Sequence, residues 1–312
     1  MLGAHLQHIG LVRSGLMLEP SFLFGQFVGG LSIAMFLFLI ASGLALIFGV
    51  LRILNFAHGS FYMIGAYLAW QIVHVLDAKT GGTFWLAVLG AATAVAALGA
   101  VIERFLLRPL YGREELYQLL FTYALVLVLA DAAKIIWGTQ QLSVSRPPSL
   151  AGASTIFGAV VPHYNIFIMA LGPIVAALVW FILHRTHIGR MVRAAALDRE
   201  MLGALGADVG RIYTVMFAFG SFLAGLAGAL VTPIKTVNPG MDVEIIVEAF
   251  IVIVIGGLGS LWGAFFGALI YGQFLSFGIL IFPRFSIFAV FALMAIILVI
   301  RPWGLFGKPL SR

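Results

Sequence analysis

The chain is constrained above all by a succession of long apolar runs almost free of charge. Residues 27–48 contain no Asp, Glu, Lys or Arg, and a membrane-spanning helix needs about 20 mostly apolar residues. Runs at 56–76, 84–107, 116–137, 166–183, 212–233, 245–282 and 286–300 hold at most two such residues each. Only 10% of the 312 residues are charged and 62% are hydrophobic. A soluble domain carries about 25% charged residues, so a water-facing globule of this composition would lack the polar groups to cover its surface. The expected fold is all-α: a polytopic membrane protein of roughly eight to ten transmembrane segments with discontinuous helices. Residues 1–24 are too mixed for a span and read as a leader or interfacial segment; 25–307 form the transmembrane domain and 308–312 a tail.

The cations lie between the apolar runs, which speaks for topology and against nucleic-acid binding. They concentrate in three places: Arg104, Arg108 and Arg113; Arg185, Arg190, Arg193, Arg199 and Arg211; and Arg301, Lys308 and Arg312. The positive-inside rule puts these regions, with the C-terminus, on the cytoplasmic side. Residues 138–165, with Arg146 as their only cation, then lie outside. This parity requires the run at 245–282 to enter the membrane and return, joined at Gly256, Gly257 and Gly259. A short internal repeat pairs 55–60 with 255–260, and Arg108-Pro109-Leu110-Tyr111-Gly112 with Arg301-Pro302-Trp303-Gly304.

Four features carry candidate function. A helix break at membrane depth leaves backbone groups that only protein or a water-filled cavity can satisfy, so Gly256, Gly257 and Gly259 are candidates for a passage; with Gly263 and Gly267 they also suit tight helix packing. Asn55, His58 and Gly59 form a second polar site beside apolar spans, with Asn55 suited to cap a helix that starts at Phe56. Glu248 lies about 6 Å beyond Glu244 along one helix face, facing an aqueous vestibule, whereas Asp242 and Glu244 read as interfacial. Asp131 and Lys134 are spaced to pair, and Glu103 and Arg104 read as interfacial anchors. The fourth feature is the loop 185–211. There 194–205 reads as one short helix with an apolar stripe of Ala194, Leu197, Met201 and Leu205, ended by Gly203 and Gly206. So short a helix needs a membrane surface or a protein groove.

Several chemistries are missing. The chain has no cysteine, which removes disulfides and thiol catalysis. It also lacks Gly-x4-Gly-Lys-Ser/Thr, His-Glu-x-x-His and Gly-x-Ser-x-Gly. No enzymatic activity is expected of it, and a pump built on it would draw its energy from another subunit.

An ordered set of motifs carries a family resemblance. It comprises Gly43-Leu44-Ala45-Leu46-Ile47-Phe48-Gly49, Ile53-Leu54-Asn55-Phe56-Ala57-His58-Gly59 and Tyr62-Met63-Ile64-Gly65-Ala66-Tyr67. These are followed by Ile102-Glu103-Arg104, Arg108-Pro109-Leu110, Gly189-Arg190-Met191-Val192-Arg193-Ala194 and Asn238-Pro239-Gly240. Gly256-Gly257-Leu258-Gly259-Ser260-Leu261-Trp262-Gly263-Ala264 and Arg301-Pro302-Trp303-Gly304-Leu305-Phe306-Gly307 complete it. From about Gly30 to Gly307 the chain resembles the inner-membrane permeases of branched-chain amino acid ABC transporters, and its length resembles the first of their two paralogous permeases.

The resemblance implies a multi-pass subunit of the bacterial inner membrane, paired with a second permease, two cytoplasmic ATPases that bind ATP and Mg, and a periplasmic binding protein. The translocation path is expected along Asn55, His58, Gly59, Gly256, Gly257 and Gly259, with Glu248 in its vestibule, and no cofactor is expected in this chain. The resemblance also implies an ATPase coupling loop with Gly189, Arg190, Arg193, Leu197, Met201, Leu205 and Gly206. The first twenty residues fall outside the pattern, and Met241-Asp242-Val243-Glu244 is unusually acidic. Urea and short-amide permeases share these motifs, so the cargo stays open between them and branched-chain amino acids. The broken helices and Glu248 also suit a different class, a self-sufficient channel or ion-coupled carrier.

Overall fold

The computed structural model describes residues 19–76, 81–281 and 283–307; the readings of 1–18 and of the tail 308–312 lie outside the described residues. The chain is nearly all helix. In order come α1 Pro20–Leu51, α2 His58–Val75, α3 Gly81–Ile102, α4 Glu115–Trp137 and α5 His163–Arg185. There follow α6 His187–Leu197, α7 Arg199–Ala204, α8 Val209–Val231, α9 Met241–Gly256, α10 Leu261–Ile281 and α11 Ser286–Ile300. Six are long and apolar enough to cross a membrane. The shorter α2, α9 and α11 bring the embedded helices to nine among the described residues, within the expected range. One β-hairpin departs from the all-helical expectation: β1 Ala153–Ile156 pairs antiparallel with β2 Ala159–Pro162. Phe157 and Gly158, both at positive φ, make its two-residue turn, and Phe157 packs edge-on to Phe24 of α1 at 5.2 Å.

Most of the described arginines gather at one end of the bundle, called here the basic end, Arg146 and Arg284 being the exceptions. Arg52 follows α1 there, beside Arg113, Arg199 and Tyr213 around one cavity. Arg108 reaches the first turn of α8, and the segment 301–307 folds against the α9–α10 corner.

Helices α1–α4 and α8–α11 form two sets that pack alike with opposite direction. Helix α1 runs along α10 as α8 runs along α3, and α2 meets α3 as α9 meets α10. At the crossing of α1 and α8 a Cβ on Gly43 would lie 2.6 Å from Gly220 O, and one on Gly220 would lie 2.9 Å from Gly43 O. Only glycine permits that reciprocal contact. The structure therefore matches the start of α2 with the start of α9. The internal repeat read from sequence instead paired 55–60 with 255–260, the far end of α9. Inverted repeats preserve packing roles and need no matching residues, so short glycine motifs gave the wrong register.

The helix breaks at membrane depth are also elsewhere than expected. Helix α1 ends at Arg52, whose φ of 56 turns the chain back. Residues 53–57 then run into the bundle before α2 begins at His58, where the ring meets Ile40 O at 3.0 Å. Ile40 lies about 16 Å along α1 from Leu51, so α2 begins well inside the bundle. Thr122 Oγ1 donates to Leu54 O at 3.3 Å and satisfies part of this non-helical backbone. The run at 256–260, by contrast, turns at the basic end, where Gly259 abuts Gly49.

Candidate functional site

The first turns of α2 and α9 meet head to head inside the bundle. Ser60 Oγ donates to Asp242 Oδ2 at 3.1 Å, and Gly59 leaves room for the Asp242 carbonyl, which a Cβ there would overlap. Asp242 is 1% exposed, so it is a buried link between two helix N-termini and not the interfacial carboxylate expected from its position.

Asn55 and His58 lie in this interior with no exposed surface. Because Ile40 O accepts from the His58 ring, Nε2 carries the proton. The helix starts at His58 with Ala57 as its cap residue, and Asn55 caps nothing. Neither amide atom of Asn55 has a hydrogen-bond partner among the described residues. A buried polar group left without a partner costs about 1–3 kcal/mol. Asn55→Leu is accordingly expected to raise the unfolding free energy of the detergent-solubilised chain by about 1–3 kcal/mol; a fall in its thermal midpoint would show that the amide has a partner.

Glu248 is half-buried on α9, and Tyr271 of α10 lies close enough to interact with it. One turn before it Glu244 is exposed, as are Val243 and Val247. Two carboxylates thus share an outward stripe that begins near mid-depth. Hydrocarbon does not tolerate that arrangement, so this stripe borders water or another protein.

Gly256, Gly257 and Gly259 form the α9–α10 corner. Gly257 has φ 111 and Gly259 has φ 78. The segment after α11 closes on them: Leu305 N donates to Ile255 O at 3.0 Å and Phe306 N to Gly256 O at 2.8 Å. These bonds satisfy the last carbonyls of α9. The structure does not bring this corner together with Asn55 and His58, which sit deeper in the bundle.

The loop 185–211 folds as an elbow. The expected single helix over 194–205 is two, α6 and α7, divided at Asp198, whose Oδ1 accepts from Glu200 N and Met201 N at 3.0 and 2.9 Å. Aspartate is a strong N-cap former, a signal present in the sequence. Gly189 packs so closely on the end of α5 that a Cβ would overlap Leu183 O, and Arg193 Nη1 donates to that carbonyl. Arg190 is exposed, and Gly206 ends the elbow at φ 84. Leu197, Met201 and Leu205 are 86%, 60% and 78% exposed. Three large apolar side chains thus stand out beside a cluster of arginines.

A buried charge network beneath the elbow escaped the sequence reading. Helix α3 continues as a π turn over Glu103–Leu107 and a 3₁₀ turn over Arg108–Leu110. Glu103 has no exposed surface; it accepts from Tyr111 OH at 2.7 Å and Thr214 Oγ1 at 2.5 Å, and pairs with Arg108 Nε at 3.6 Å. Arg108 Nη2 in turn donates to Gly210 O and Thr214 Oγ1 at 2.5 and 2.6 Å. Burial and the Glu103 carboxylate hold the Tyr111 phenol well above its ordinary pKa, so it stays a donor. The network ties the end of α3 to the first turns of α8, directly after the elbow. Breaking a buried pair costs about 3–5 kcal/mol; Glu103→Ala is expected near the lower figure because Arg108 is partly exposed. Thermal unfolding of the purified variant checks this, an unchanged midpoint being the contrary result. The pair Asp131–Lys134 forms as expected, at 2.9 Å on α4.

Comparisons of the sequence with known proteins return transport permeases. The chain is 30% identical over 293 residues to the high-affinity branched-chain amino acid transport system permease protein BraD of Pseudomonas aeruginosa, covering 91% of this chain and 95% of that protein. It is 29% identical over 297 residues to the corresponding permease LivH of Escherichia coli, with the same coverage. A shorter match, 31% over 162 residues, is to the fructose import permease protein FrcC of Rhizobium meliloti, covering 49% of this chain and 44% of that one. No solved structure matches. Residues 26–300 match the family model described as the permease component of branched-chain amino acid transport systems, and the chain belongs to that family.

Proposed function

We propose that this chain is one of two permease subunits of an ATP-driven importer for branched-chain and related hydrophobic amino acids in the bacterial inner membrane. The observation that carries the reading is the elbow: Leu197, Met201 and Leu205 stand exposed at the basic end of a chain that has no phosphate-binding loop. Apolar anchors in that setting fit the groove of a partner that binds ATP and Mg. The basic end, with the C-terminus, is then cytoplasmic. A periplasmic binding protein delivers cargo at the opposite end.

The translocation path runs along the outward stripe of α9 with Glu244 and Glu248, completed by the second permease, and passes the corner at Gly256, Gly257 and Gly259. Gly59 acts on it from behind, by letting α2 close against α9, while His58 ties the start of α2 to α1 and Asn55 lies beside them. The partial match to a fructose permease indicates that this scaffold is not tied to one cargo. The test is a cargo panel: cells producing this chain with its partner subunits should take up labelled leucine, isoleucine or valine in competition with one another. Uptake of urea or acetamide with none of these amino acids would transfer the assignment to the short-amide permeases.

A further inference from the structure

The cavity at the basic end has a composition that the transport path does not explain. It measures about 440 Å³ and lies between the end of α1, the segment entering α4, the elbow and α8. That volume falls within the range of about 300–1,000 Å³ typical of small-molecule sites. Three guanidinium groups, Arg52, Arg113 and Arg199, and three carboxylates, Glu115, Asp198 and Glu200, line it. None of the six is ion-paired among the described residues. Asp198 is engaged in capping α7; the other five charges have no ion-pair partner within the chain, and Arg52, Arg113 and Glu115 among them lie outside the elbow. Arg52 is held at the cavity by a left-handed backbone, φ 56, which is unfavourable for a residue with a Cβ and is a form of strain concentrated at functional sites. Val50, Leu51 and Ile53 add apolar lining.

Unpaired charges of both signs around an apolar patch complement a zwitterion with an apolar side chain. We propose that this cavity binds a free hydrophobic α-amino acid, the released cargo, and that its occupancy slows the importer. The carboxylate fits the bidentate fork of an arginine, the ammonium fits Glu115 or Glu200, and the side chain lies on Val50, Leu51 and Ile53. The walls belong both to the elbow and to the membrane bundle. A ligand that bridges them favours whichever arrangement holds the two together, and that resists the motion the ATPases must impose. This inference rests on the transport reading above.

The experiment uses the assembled importer in proteoliposomes, with ATP and increasing L-leucine trapped on the ATPase side. Labelled leucine is presented outside with the binding protein. Trapped leucine is expected to lower the initial uptake rate, while isocaproate, which lacks the ammonium, and leucinamide, which lacks the carboxylate, leave it unchanged. Arg113→Ala and Glu115→Gln, both exposed substitutions, are each expected to raise the half-inhibitory concentration about tenfold, equivalent to about 1.4 kcal/mol. Their rate with nothing trapped should equal wild type. Absence of inhibition in wild type, or the same inhibition curve in both variants, would overturn the proposal while leaving the transport reading intact. Absence of ATP-dependent uptake with nothing trapped would overturn the transport reading, and this inference with it.

Discussion

Leu205→Glu is expected to abolish co-purification of the ATPase while leaving the permease inserted and folded. Leu205 is 78% exposed at the end of the elbow, so the substitution removes no packing within the chain. In the docked state the same position would bury a carboxylate in an apolar groove, and loss of a central anchor costs about 2 kcal/mol or more. The association constant should therefore fall about 30-fold or more. Pull-down from solubilised membranes, with thermal unfolding of the permease as the folding control, measures both sides. Wild-type recovery of the ATPase would remove Leu205 from the contact.

Gly257→Leu is expected to have a comparably large effect for a different reason. At φ 111 a residue with a Cβ is strained, and a Cβ here would stand 2.8 Å from Gly307 Cα and 3.0 Å from Trp303 O. The segment 301–307 would have to leave the corner, freeing the carbonyls of Ile255 and Gly256. Backbone strain and overpacking together amount to about 2–6 kcal/mol, enough to deplete the folded chain. Size-exclusion chromatography and the thermal midpoint report it. A variant that keeps the wild-type midpoint would remove the packing role of Gly257, and blocked uptake in that variant would leave its place on the passage as the cause.

These two residues show how legibility divided. The elbow was visible in the sequence because apolar residues recurring at helical spacing among arginines have no use in a soluble loop; its start at His187, its division at Asp198 and the place of Gly203 inside α7 were missed. The helix count and the Asp131–Lys134 pair were equally plain, since both depend on local spacing. Depth was not legible. Hydropathy reports that 56–76 is apolar, but not that α2 starts halfway along α1, because that follows from where residues 53–57 are threaded. For the same reason Asp242 and Glu103 looked interfacial: each lies at a helix end, and only the neighbouring helices, through Ser60 for one and Thr214 and Arg108 for the other, bury them. The inverted relation of α2 to α9 was hidden because its equivalence lies in packing contacts such as Gly43 with Gly220, which run between segments far apart in the chain.

On the reading proposed above, this chain is one of two passive membrane subunits of an ATP-driven importer. The most direct measurement is uptake of labelled leucine into proteoliposomes. One set holds this chain alone; the other adds the second permease, the ATPases, trapped ATP and external binding protein. Accumulation only in the complete set, lost when ATP is replaced by a non-hydrolysable analogue, is the predicted result. Equilibration of leucine by the chain alone, without ATP, would contradict it and identify a self-sufficient channel or ion-coupled carrier.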